Sequence, residues 1–314
     1  MEAEQRTGQH TGQHTGEHTG EHTERHAGDH LDDAAVVTAR RLWGRLEAVH
    51  TLAYFAPQVH AAHAELGLSD RLVSYVAARS AAFGPVGPEV VTAAFYGFAP
   101  EVISRALPAA WDTASPAQVL AATDRGLTEV LHEVLAGAEE LPRAAELARE
   151  VALLHPTLGR PLAAAWSAVP WAEDPALLLW QAATRIRESR GDGHIALLVE
   201  AELDGVEAHL TIRGDSPKLR QILGATRGVS DPVWDAAVER LQARGLLEQD
   251  GGLSAAGRQL RDRLERRTDE LAAPPWVAFS EERSAALQAA LEPLVARILE
   301  AGIVPGVVAR AAVA

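Results

Sequence analysis

The densest run of chemistry-bearing side chains is Arg185-Ile186-Arg187-Glu188-Ser189-Arg190-Gly191-Asp192-Gly193-His194. Arginine can hold a carboxylate or phosphate through paired N–H donors, and a histidine oriented by an aspartate can act as a general base. Asp192 and His194 are therefore the candidate catalytic pair, with Arg190 beside them as a ligand contact. A structural account covers the same string: Gly191 ends one helix, the arginines suit its negative end, and Asp192 caps the next. Earlier in the chain His50, Tyr54, Arg79 and Tyr96 could line a pocket between helices. His50 also continues an apolar stripe with Ala39, Trp43 and Leu46, which suits a buried, hydrogen-bonded histidine. His60 and His63, three apart, could share a metal, but no third ligand is in view.

Residues 7–26 repeat a tetrad, TGQH TGQH TGEH TGEH TERH, which sets His10, His14, His18, His22, His26 and, beyond it, His30 four apart. Thr and Gly in the repeats oppose a helix, so residues 1–34 read as a disordered His-rich tail, with metal capture by His10, His14, His18 and His22 as the sharper alternative. No Gly-rich phosphate loop, GxSxG elbow or HExxH helix is present, so common nucleotide-binding and hydrolase classes are disfavoured and no cofactor is expected.

The 314 residues contain no cysteine, which excludes disulfides, thiolate nucleophiles and Cys-ligated metals. The opening MEAEQRTGQH lacks a signal-peptide pattern, and no apolar run approaches the roughly 20 residues of a membrane span. A cytoplasmic protein without membrane contact is the expectation. The formal charge of −14 opposes general attraction to nucleic acid. Residues 216–271 stand apart, with ten basic and nine acidic groups.

Helical periodicity begins near Ala35, where Ala39, Leu42, Trp43, Leu46, Val49 and Ala53 recur at three and four residues. Further helices are expected near 69–82, 88–106, 116–136, 142–153, 174–189 and 193–203, separated by Pro and Gly breaks. Ala208-His209-Leu210-Thr211-Ile212 alternates like a strand. The stretch Tyr75–Phe98 echoes Trp180–Val206, as an old duplication would leave it. Glu200, Asp204 and Glu207 share what reads as a solvated face.

After Gly214 come a short helix (217–223), a turn through Gly228-Val229-Ser230-Asp231-Pro232, and a longer helix (232–244). Leu246-Leu247-Glu248, the turn signal Gln249-Asp250-Gly251-Gly252 and a final long helix follow. The run VWDAAVERLQARGLLEQDGGLSAAGRQLRDRLE resembles MarR-like winged helices. From Tyr54-Phe55-Ala56-Pro57 through Ala78-Arg79-Ser80 and Phe95-Tyr96-Gly97-Phe98 to Arg190-Gly191-Asp192-Gly193-His194, the chain also resembles the SalK-like helix-turn-helix family of actinobacteria. The resemblance implies a regulator.

The expected fold is mainly α: a helical, ligand-sensing domain (35–215), a winged helix-turn-helix with a short β wing (216–274) and a C-terminal helical segment (275–314). In such modules the second helix enters the major groove. Trp234, Ala237, Val238 and Leu241 mark its buried face, leaving Ala236, Glu239, Arg240 and Ala243 outward, with Asp231 and Asp235 near its entry. Arg240, Arg244 and Arg258 are the DNA-contact candidates, and Arg261 adds compensating charge. Leu260, Leu264 and Leu271 form a stripe that a homodimer could use. The leading expectation is a regulator that binds double-stranded DNA and responds to a small molecule. The alternative is an enzyme or small-molecule-binding protein using a pocket near Asp192 and His194, with the winged helix as scaffold.

Overall fold

Prolines open many of the helices because the first turn has no use for their missing N–H. Pro57, Pro88, Pro100, Pro116, Pro161, Pro175 and Pro217 each occupy a first helical position. Side-chain caps add to this: Asp70 and Asp174 accept two backbone N–H bonds each, and Ser115–Gln118 and Asp204–Glu207 form reciprocal capping boxes.

A computed structural model describes residues 33–313, and among these every regular element is helical. In order they are α1 (Asp33–His50), α2 (Leu52–Phe55), α3 (Pro57–Glu65), α4 (Arg71–Ser80), α5 (Pro88–Phe95), α6 (Pro100–Ala106), α7 (Ala109–Thr113), α8 (Pro116–Val134) and α9 (Leu141–Leu154). They continue with α10 (Pro161–Ala168), α11 (Pro175–Glu200), α12 (Gly205–Arg213), α13 (Pro217–Arg227), α14 (Asp231–Ala243), α15 (Ala255–Ala272), α16 (Pro274–Phe279), α17 (Glu281–Glu300) and α18 (Gly306–Val313). No helix among the described residues is long and apolar enough to cross a membrane. The histidine tetrads lie outside the described residues.

Two apolar cores form. The larger runs from Ala35 to Ile186 and takes in the C-terminal helices from Ala272 to Ala312. The smaller gathers Leu197 and Leu198 at the end of α11 with Leu210, Leu223, Trp234, Leu241, Leu247 and Leu264. Helix α11 enters both. The Leu260, Leu264 and Leu271 stripe of α15 packs on the smaller core, so that face is filled within the chain.

Five sequence expectations give way. Gly191-Asp192-Gly193 does not break a helix, because α11 runs unbroken for 26 residues. The glycines' weak helix propensity is overridden by packing. At Gly193 a Cβ would fall 2.6 Å from the Arg160 guanidinium, so the glycine admits that side chain. The alternating 208–212 segment is helical α12, started by its capping box, and Glu207 in that box is buried rather than solvated. The expected helix at 88–106 divides at Tyr96, whose φ of 53° ends α5. The hairpin after α14 closes through a single antiparallel bridge, Leu247 to Leu253, and no strand forms among the described residues.

An internal likeness emerges in a different place from the expected one. Helices α5, α6 and α8 follow the order of α13, α14 and α15: a helix ending at positive φ (Tyr96, Gly228), a second helix with proline in its first turn, and a third capped by serine. The two turns meet, with Ala99 N–H donating to the Arg227 carbonyl at 2.9 Å.

Helix α8 crosses α3 at Gly126, where a Cβ would lie 2.6 Å from the Val59 Cα. Gly126→Ala therefore forces backbone apart and is expected to lower unfolding free energy by about 1–3 kcal/mol. Gly224→Ala, in α13 with ordinary space around it, should instead stabilise by up to about 1 kcal/mol. Urea titrations of both variants check this contrast.

Candidate functional site

The helix-turn-helix unit is built from α13, the turn at 228–230 and α14. Gly228 ends α13 in the left-handed region at φ 72°, and a Cβ there would overlap Val102 of α6, so the turn needs glycine for two reasons. Trp234, Ala237 and Leu241 are buried and Val238 is half-buried, as their helical spacing predicts. Trp234 also donates from its indole N–H to Asp215 at 2.9 Å. Ser230 is the N-cap position but makes no side-chain cap bond.

The arginines around this unit have partners within the chain. Arg240 bridges to Glu207 at 2.7 Å and to Asp204, on the capping box of α12. Arg244 donates to the carbonyls of Glu202 (2.7 Å) and Ala201 (2.8 Å) at the end of α11. Arg258 donates to the Leu253 carbonyl in the hairpin. Arg220 of α13 holds Asp231 and Asp235 at 2.6 and 2.7 Å on the entry of α14. The outward face of α14 therefore presents Asp231, Asp235 and Glu239 together with arginines that already have partners.

Beside the turn lies a cleft of about 600 Å³. One wall is Thr92 and Tyr96 to Glu101, from α5, the following turn and the start of α6. The other is Gly228, Val229, Ser230 and Val233, and the start of α12 forms the floor. Its volume suits a small organic ligand. Tyr96 donates its hydroxyl to the Leu203 carbonyl, tying the first wall to the floor.

Behind Phe98 the cleft backs onto a buried polar network. His50 shares hydrogen bonds with Thr184 (2.9 Å) and the Tyr54 hydroxyl (2.8 Å), and its carbonyl accepts from the Trp180 indole at 3.1 Å. Tyr54 meets Tyr75 at 4.8 Å, Tyr75 stacks on Phe98 at 5.6 Å, and the Arg227 guanidinium sits 4.0 Å over Phe98. Arg79 grips Glu188 through two bonds of 3.1 and 3.0 Å, and Arg187 reaches the same carboxylate at 2.7 Å. Burial works to raise the Glu188 carboxyl, but Arg187 and Arg79 outweigh it and hold it below its usual range. Burial pushes Glu47 up, against Arg187, and its Oε2 has no hydrogen-bond partner. Burial, helped by Arg187, drives His50 down to about 3, so it is neutral.

His50, Tyr54 and Arg79 are thus brought together, and Tyr96 lines the adjoining cleft. The other candidates lie elsewhere. Asp192 turns toward α10 and accepts from Ala163 N–H at 2.9 Å, with burial raising it to about 6. His194 turns toward α15, bonds Thr268 at 2.8 Å and is lowered by burial to about 4. The two share a helix but not a site. Arg190 pairs with Asp269 at 2.7 Å beneath Trp43, 4.2 Å away. His63 uses both ring nitrogens, on Ser74 and Thr123. The sequence reading did not assign Glu188, Tyr75, Phe98 or Arg227 to a site. Glu188 stood in the Arg-rich string it singled out, whereas Arg227 carried no local signal.

Removing one partner of a buried ion pair strands the other charge. Glu188→Gln should lower unfolding free energy by about 3–5 kcal/mol in urea denaturation at pH 7. The acid response has a definite sign. His50 is about 3 in the fold against an ordinary 6.5, so its contribution is complete above 6.5 and is lost as pH falls toward 3. His50→Gln, which can keep the bond to Thr184, should make the stability difference between pH 7.5 and pH 5 smaller.

The chain matches a helix-turn-helix family profile over residues 39–305, most of its length and both cores. No curated protein matches it, and neither does any solved structure. Over that span, and with the α13–α14 geometry described, the chain belongs to this helix-turn-helix family.

Proposed function

We propose that the protein is a DNA-binding regulator whose helix-turn-helix is gated by a small molecule held in the cleft. One observation carries this: Gly228, Val229, Ser230 and Val233, in the turn and the first turn of α14, also form one wall of the cleft. An occupant there changes how α14 is presented. Residues 216–274 are the reading unit, with the Leu247–Leu253 hairpin as a reduced wing. The helices before them form the sensing part, in which His50, Tyr54 and Arg79 support the cleft from behind and Tyr96 lines it. A homodimer would place two copies of α14 on one duplex and would pair through a surface other than the buried α15 stripe.

The lining names the ligand's chemistry. Tyr96, Phe98, Pro100, Val206, Val229 and Val233 supply apolar surface, and Glu101 and Asp204 are the charged groups on the wall. A largely apolar molecule, neutral or carrying an amine, fits better than an anion. On the DNA side, Arg220 faces solvent and its surface bridges are weak and screened by salt, so phosphate can compete for it. Lys218 is a further exposed cation of α13, and Arg258 is exposed at the start of α15. Arg240 and Arg244, docked on α11 and α12, help hold the reading unit in place and contact phosphate only if those bonds yield.

A second reading keeps the cleft and drops the DNA: the helix-turn-helix serves as a scaffold for a small-molecule-binding protein. The carboxylates Asp231, Asp235 and Glu239 on the outward face favour it. Titrating the full chain against a duplex from its own upstream region at two salt concentrations separates the readings. Specific binding that weakens steeply with salt is expected, and no binding at low salt would overturn the regulator. Thr92→Trp, on the α5 wall, should abolish binding of the neutral dye Nile red and shift DNA affinity at least about fivefold, roughly 1 kcal/mol. Lost dye binding with unchanged DNA affinity would sink the gating.

A further inference from the structure

A second cavity, of about 120 Å³, lies between the end of α9, the loop after it, α10 and α11. Arg185 and Ser189 of α11, His155 and Thr157 of the loop, and Ala163 of α10 are on its wall. Arg185 is 7% exposed and has no carboxylate partner among the described residues. Among the described residues its one hydrogen bond goes to the Val169 carbonyl, and its guanidinium lies 3.5 Å over Trp171. A buried cation with so little compensation is unfavourable unless an anion joins it. The surroundings add positive charge. Arg149 sits 5.7 Å over the same Trp171, and Arg160 donates to the carbonyls of Ser189 and Leu271. The carboxylate of Asp192 is held by Ala163 N–H and is not on the cavity wall, and Glu146 reaches Arg149 only at 4.0 Å.

The second mark is His155, 8% exposed, whose Nε2 is buried with no hydrogen-bond partner. Buried polar atoms are nearly always bonded, and this unpartnered nitrogen belongs to a residue of the cavity wall. The space equals about four waters at roughly 30 Å³ each, which a carboxylate or tetrahedral oxyanion fits.

We propose that this cavity is a binding site for a small oxyanion, a carboxylate or a phosphate, held by the Arg185 guanidinium and the His155 imidazole. It differs in place and in charge preference from the apolar cleft, and does not depend on the regulator reading. Burial pushes the Arg185 guanidinium down to about 10 and leaves it charged at neutral pH, so it can still hold an anion there.

Thermal unfolding and calorimetric titration of the full chain with sodium phosphate and with sodium acetate, against sodium chloride at matched ionic strength, test this. Saturable stabilisation by phosphate, by acetate or by both supports the site, and which one acts names the source of the oxyanion. Arg185→Gln should weaken binding about tenfold or more while retaining or raising the melting temperature in chloride, since it removes an uncompensated buried charge. Ser167→Trp, at an exposed position on the cavity rim, should block the anion effect without touching Arg185 and keeps the test decisive if Arg185→Gln does not fold. No response beyond chloride, or a response that survives Ser167→Trp, overturns the proposal.

Discussion

The arrangement of the larger core depends on one carboxylate. Glu188 is 1% exposed on α11 and is held by Arg79 from α4 and by its neighbour Arg187, which also faces Glu47 of α1 at 3.7 Å. This carboxylate thus joins α4 to α11, and Arg187 extends the buried cluster to α1. Burying ions is unfavourable in itself, and the bidentate geometry with Arg79 is what offsets it. The consequence is directional: apolar packing alone would allow α4 to slide against its neighbours, whereas a two-pronged bond fixes its depth and rotation relative to α11. Tyr54, Tyr75 and Phe95 then stack in places that follow from Arg79, whose guanidinium lies 4.4 Å over Phe95.

From this clamp a run of contacts leads to the smaller core. Tyr75 meets Phe98, Phe98 carries Arg227, and Arg227 is the last residue of α13. Burial lowers the Arg227 guanidinium, and no carboxylate pairs with it among the described residues, so aromatic faces are its chief support. On the far side Arg240 and Arg244 dock the end of α14 onto α11 and α12. The helix-turn-helix unit is therefore held at both ends by arginines. The residue type that would suggest phosphate contact in the sequence here performs internal attachment.

Much of the local structure was legible because it is decided locally. The α1 stripe, the proline-opened helices and the buried face of α14 follow from periodicity and from where proline is tolerated. What escaped was decided at long range. Gly191 and Gly193 look like a break until Arg160, about thirty residues earlier, is seen to occupy the space beside Gly193. The 208–212 segment alternates like a strand, yet Asp204 and Glu207 start a helix before that alternation can matter. Arg240 reads as a free cation because its partners Glu207 and Asp204 precede it by 33 and 36 residues. For the site, His50, Tyr54, Arg79 and Tyr96 were recognisable as inward-facing polar groups. That Phe98 and Arg227 link them to the turn required the packing of two cores.

That packing also bears on how a ligand could act. An occupant shifts a conformational equilibrium only by the difference in its affinity for the two states. A pocket within one rigid core offers little such difference. Here Phe98 and Ala99 of one wall belong with the larger core and Tyr96 packs on the smaller one, while Val229 and Val233 belong to the helix-turn-helix unit. The two walls touch at the Ala99–Arg227 bond and at Gly228 against Val102. A molecule that fills the cleft in one spacing loses contact with a wall in another, and each 1.4 kcal/mol so lost changes the ratio of states about tenfold. Gly228 is the point of leverage. It cannot accept a side chain while α6 lies against it, so separating the walls must move α14 relative to α6.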